Sequence, residues 1–167
     1  MHTIRLPEKL VKKAMRKGID IEREILDYLI RSLDLNPKDE IELHMELAEK
    51  YLDEGKKLIE EDTIQASEKL YKAAEEIIKA LAIHYNLIDI LTKTKSRGRW
   101  TVTDIEKAVK EISNKIGSWF LDSWDHAWIL HVWGFHEGKI DREGIRIRLP
   151  AIEKMIEESL KIIKGQH

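Results

Sequence analysis

The sequence predicts an all-α fold, an up-and-down bundle of about four long helices behind an N-terminal helical arm. Three observations carry that expectation. Charged residues make up 36% of the 167 and hydrophobic residues 43%, with three prolines and eight glycines to interrupt them, which suits long amphipathic helices better than a sheet with many turns. Apolar residues recur at helical spacing along most of the chain. Capping and breaking residues then fall at the ends of those stripes. This length suits one compact domain with a small appendage. The boundary is expected at Asn36-Pro37, giving an arm over residues 1–35 and a bundle over residues 36–167.

Residues 3–7, TIRLP, alternate like a short strand, and Pro7 opens a helical pattern that Gly18 ends. Asp20 is placed to cap the next helix, which carries Ile21, Ile25, Tyr28, Leu29 and Leu33 on one side. Pro37 fits the first position of a long helix whose stripe holds His44, Leu47, Ala48, Tyr51, Leu52, Gly55, Leu58 and Ile59. A glycine costs a helix about 1 kcal/mol relative to Ala, so Gly55 on this stripe predicts a close backbone approach. The turn Glu61-Asp62-Thr63 predicts an antiparallel partner helix with Leu70, Tyr71, Ala74, Ile77, Ile78, Leu81, Tyr85 and Ile88 inward. Ala66, Ala73 and Ala80 make a narrow seam beside that stripe.

After the loop TKSRGRW, Thr103 and Glu106 read as a capping box for a helix bearing Ile105, Val109, Ile112 and Ile116. Gly117 permits a break, and the fourth long helix follows with Phe120, Trp124, Ala127, Trp128, His131 and Phe135 on one side. Residues 145–149, IRIRL, alternate again, and Pro150 opens a last helix with Ile152, Met155, Ile156, Leu160 and Ile163 toward the core. IRLP occurs at residues 4–7 and again at 147–150, so two short strands there are a candidate pair; two unrelated extended entries into helices are the plainer account.

Composition excludes several function classes. The net charge of −2 argues against non-specific coating of nucleic acid, which needs a basic surface or a strong local patch. With no cysteine there are no disulfides, thiolate nucleophiles or Cys-based metal sites. No apolar signal-peptide core or uncharged run of membrane-spanning length occurs, so a cytoplasmic protein with no membrane partner is expected. Richness in Glu, Lys and Ile resembles a heat-adapted proteome. Phosphate-loop, nucleophile-elbow and HExxH motifs are all missing.

The densest candidate region is WDHAWILHVWGFHEG, residues 123–138 less its first serine. On an α-helix, His126, His131 and His136, each five apart, do not share a face, so no metal is expected and no cofactor is called for. Trp124, Trp128 and His131 read as bundle core with one satisfied histidine, or else as a partly open aromatic pocket. In the second case Trp124, Trp128, His131, Trp133 and His136 are the ligand-binding candidates. Asp125, His126, His136 and Glu137 offer acid–base groups that need help to converge. Arg5, Lys9, Lys12, Lys13, Arg16 and Lys17 against Glu8 make the N-terminal arm basic. A solvated face is the ordinary reading, although a strand followed by two helices also resembles a ribbon-helix-helix DNA-binding unit with a short first helix.

In order and spacing, ASEKLYKAAEEIIKALA (66–82), GRW (98–100) and AWILHVWGFHE (127–137) resemble the archaeal PaREP proteins, over roughly residues 37–165. That family is in turn similar to the HEPN superfamily of helical bundles that bind nucleotides or act as ribonucleases. The resemblance implies a bundle that dimerises and partners other proteins. Active HEPN ribonucleases carry an arginine followed, after four to six residues, by a histidine; no arginine here has a histidine at that distance. The leading expectation is therefore a non-catalytic interaction module, a homodimer with a protein or nucleotide partner. The alternatives are a divergent RNA-processing enzyme using His131 and His136 with Arg97 or Arg99, and a DNA-binding regulator acting through the arm.

Overall fold

A computed structural model describes residues 2–166, which divide into one unit up to Leu35 and a second from Asn36 onward. In the first unit, extended backbone at Pro7 leads into α1 (Glu8–Arg16), and α2 (Ile21–Leu33) follows. The Asp20 carboxylate accepts the backbone N–H of Arg23 at 3.2 Å, the cap expected from the sequence. Neither helix buries a single residue.

The second unit is built around a helical hairpin of α3 (Pro37–Leu58) and α4 (Thr63–His84). Each start is set by a side chain: Asn36 Oδ1 accepts from Asp39 N–H at 2.9 Å and Asp62 Oδ1 from Gln65 N–H at 3.0 Å. The hairpin interface needs small residues. A Cβ at Gly55 would stand 2.8 Å from the Leu70 side chain and 3.2 Å from its backbone nitrogen, the close approach that a glycine on this stripe predicts. Ala66, Ala73 and Ala80 are all fully buried.

Helix α4 is the axle of this unit, touching α3, α6 (Val102–Ile116), α7 (Trp119–Ile129) and α9 (Leu149–Ile163). The core between them is filled by Leu70, Ile77, Ile78, Leu81, Ile105, Ile112, Phe120, Trp124, Ile152 and Met155. No helix among the described residues is long and apolar enough to cross a membrane.

The chain is all-α, as expected, with differences of detail. A fifth long helix, α9, joins the four of the expected bundle by packing on α3, α4 and α7. Helix α4 stops at His84 because Asn86 turns left-handed (φ 49°), and Ile88 starts a further short helix, α5 (Ile88–Arg97), which Gly98 ends at φ 78°. The capping box is two residues earlier than the sequence suggests: Thr101 and Asp104 bond reciprocally, and Thr103 lies inside α6. No strand forms among the described residues. Instead of a strand at 145–149, Asp141 caps α8 (Arg142–Arg146) by accepting from Gly144 N–H at 2.7 Å, so local capping overrides the alternation of IRIRL.

Candidate functional site

After Ile129 the helix of α7 widens, and Leu130–His136 runs as π-helix before ending at Glu137. One π turn closes at i+5 rather than i+4, and such turns recur at functional sites. This overturns the argument that histidines five residues apart must diverge. His131 and His136 lie over one another, with their Nε2 atoms 3.1 Å apart. His126, on the α-helical part, stays exposed and outside this pair.

The widened segment is seated on α4. Gly134 is buried, and a Cβ there would be 2.3 Å from Ser67 Oγ and 2.6 Å from Ser67 Cβ, so only glycine lets the π turn come this close. Ser67 is itself fully buried and spends its hydroxyl on the Thr63 carbonyl at 2.8 Å. From the next residue of α4, Glu68 Oε2 lies 2.8 Å from His131 Nδ1, and Tyr71 stacks on the His131 ring at 3.9 Å between centroids.

These contacts fix the protons. A carboxylate only accepts, so the hydrogen of the His131 ring sits on Nδ1 and points at Glu68. His131 Nε2 then accepts the Nε2–H of His136. The outcome is a chain from half-buried carboxylate to inner imidazole to an exposed outer imidazole, His136.

The aromatic candidates separate by depth. Trp124 is fully buried and donates its Nε1–H to Glu106 at 2.6 Å, so it belongs to the core rather than to a ligand surface. Trp128 is half-buried beside Tyr71 and His131 and backs the inner imidazole. Trp133 is 46% exposed, with Lys139 Nζ 5.2 Å above its ring. Arg97 does not join the histidines but is engaged with Asp104 at 2.6 Å, at the α5–α6 corner, and Arg99 is exposed on the loop beyond. Asp125 is exposed on α7, its pKa raised by partial burial and then by the neighbouring Glu106 and Asp122 carboxylates. Among the described residues, no group of three or more His, Asp or Glu side chains is placed to hold a metal ion.

Glu68 and Tyr71 are the functional residues that sequence reasoning missed. Their i, i+3 spacing puts them on one face of α4, but nothing local says that the facing helix is widened to present both histidines there.

The profile of the archaeal PaREP1/PaREP8 family matches residues 43–156. The crystal structure of a protein from Sulfolobus solfataricus is similar at 34% identity and TM-score 0.64, covering 69% of this chain and 94% of that one. A solution structure of the same target covers 72% and 94%, at 34% identity and TM-score 0.63. No curated protein matches the chain.

Proposed function

The chain belongs to the archaeal PaREP1/PaREP8 family, and from that premise we propose that its second unit is a self-associating helical binding module whose ligand face is the π-helical end of α7, with the phosphate of a nucleotide as the group it takes. The carrying observation is the Glu68–His131–His136 chain. Its outer imidazole is open to solvent, and its inner one is held by a carboxylate and a tyrosine ring. Such a chain offers an anion an exposed imidazole whose neighbour is fixed in place. The ring nitrogens that face one another are spent on their mutual hydrogen bond, which favours binding over acid–base turnover. Self-association is supported by large apolar side chains that this unit leaves bare, among them Ile64, Leu121, Trp133 and Ile147.

The test is an NMR titration of the histidine ring resonances with AMP, ATP and inorganic phosphate. Saturable shifts at His131 and His136, lost in Glu68→Gln, are the expected result. Rings that do not respond to any of the three would overturn the reading.

A second reading is favoured by one spacing. His131 is followed after four residues by His136, as the arginine of HEPN ribonucleases is followed by its histidine, with imidazole in place of guanidinium. Hydrolysis of single-stranded RNA that disappears in His136→Ala would select this enzyme over the binding module.

A further inference from the structure

The first unit holds an apolar surface that it does not use. In α1, Leu10 is 54% exposed and Met15 69%; in α2, Tyr28 is 62% and Leu33 64% exposed. Folded units below about 40 residues usually need disulfides, metals or oligomerisation. The chain has no cysteine, and among the described residues there is no metal-holding cluster. Association with another chain is one route to its stability.

The segment before α1 says which chain. Residues 2–6 are neither helix nor strand, and among the described residues none of them makes a backbone hydrogen bond. A row of unpaired backbone groups is a template for a second strand. The same segment of a second copy, laid antiparallel about a two-fold axis, satisfies both rows at once. Alternation then puts Ile4 and Leu6 on one side of the ribbon and Thr3 and Arg5 on the other. Ile4, 61% exposed in the single chain, is thereby supplied with a partner surface in the bare faces of α1 and α2.

Charge identifies what the outer side meets. Residues 2–17 carry six basic side chains against Glu8 alone, a local balance of +5 in a chain of −2, and pairing two copies doubles it. A basic patch this dense is an electrostatic footprint for a polyanion. The major groove of B-DNA admits a two-stranded ribbon, in which arginine reads guanine edges while neighbouring lysines hold phosphates.

We propose that residues 2–35 pair with the same segment of a second copy, and that the resulting two-stranded ribbon binds double-stranded DNA through Thr3 and Arg5. Lys9, Lys12 and Lys13 engage the flanking phosphates, Lys12 by giving up its 2.5 Å ion pair with Glu8. This inference is independent of the bundle's histidine site.

The test uses the full chain and fluorescence anisotropy with two duplexes, one of random sequence and one enriched by the protein from a randomised pool, over a salt series. Binding should weaken steeply with salt. Arg5→Ala should cut the preference for the enriched duplex by roughly 10- to 100-fold. Lys12→Ala with Lys13→Ala should weaken both duplexes alike and flatten the salt slope. Leu10→Glu, at an exposed position, should abolish tight binding with the bundle's circular dichroism unchanged. Pairing is read separately by single cysteines, Thr3→Cys, Ile4→Cys and Arg5→Cys: antiparallel pairing gives an oxidised dimer that peaks at one of the three positions. Absence of any cross-link, duplex affinity indifferent to Arg5→Ala and Leu10→Glu, or binding of single-stranded RNA with duplex DNA refused would each overturn the proposal.

Discussion

His44, Glu76 and Lys79 form a charged knot inside the α3–α4 hairpin. Glu76 accepts from Lys79 Nζ at 2.7 Å on one oxygen, and its other oxygen lies 2.6 Å from His44 Nδ1. Burial alone would raise the Glu76 pKa, but the Lys79 charge and then His44 outweigh it and hold the carboxyl far below the usual carboxylate range. Burial alone would lower the His44 pKa, but the Glu76 charge, helped by Glu40, leaves it raised. The two groups bound a stability window. Glu76 stabilises the fold fully above the ordinary carboxylate pKa of about 4.3, and that contribution is lost only in strong acid as pH falls through its depressed value. His44 stabilises fully below the ordinary imidazole pKa of about 6.5, and that contribution is lost as pH rises through its raised value. Urea unfolding followed by circular dichroism should therefore show a midpoint that declines above pH 6.5, with the decline absent in His44→Asn. Glu76→Gln, which strands buried cationic groups, should cost about 3–5 kcal/mol at pH 6. A midpoint unchanged by Glu76→Gln would mean that the knot contributes nothing to the fold.

At the scale of elements, the π turn carries the site, and Gly134 carries the π turn. Because the obstructing atoms are Ser67 Oγ and Cβ, near the root of a fully buried side chain, Gly134→Ala forces α4 and the π segment apart. The expected loss is about 1–3 kcal/mol in urea unfolding, despite alanine's better helix propensity. The His131 ring resonances should shift as the stack on Tyr71 loosens. Ser67→Gly in the same chain should recover part of the packing loss, a coupling that a double-mutant cycle reads directly. Loss of stability in Gly134→Ala with unmoved His131 resonances would detach the glycine from the site. This dependence on a facing helix explains what the sequence makes legible and what it hides. Stripes such as Leu70, Tyr71, Ala74, Ile77, Ile78 and Leu81 are local and periodic, so the hairpin and its inward faces can be read directly, as can the close approach at Gly55. A π turn breaks the period that such reading assumes, and the residue on which its Gly134 is seated, Ser67, lies 67 residues earlier in the sequence. The sequence thus supplies His131 and His136 as candidates but not their convergence, nor the pairing of Arg97 with Asp104 in another corner.

At the scale of the whole molecule, the family match at residues 43–156 falls entirely within the second unit. The Sulfolobus relative aligns over 94% of its own length while covering 69% of this chain, so its fold stands without a counterpart to the remainder. The hairpin is tied to α9 by packing and by the ion pair of Lys56 with Glu153 at 2.6 Å, all within the second unit. Helices α1 and α2, by contrast, bury no residue. We propose that residues 36–167 fold alone: a chain beginning at Asn36 should then unfold in urea within about 0.5 kcal/mol of the full chain, as expected for independent parts. It should keep the ring response of His136 to nucleotides and lose affinity for duplex DNA, so that one truncation separates the two activities. A lowered midpoint would instead make the arm part of the bundle's own stability and would move the unit boundary away from Leu35.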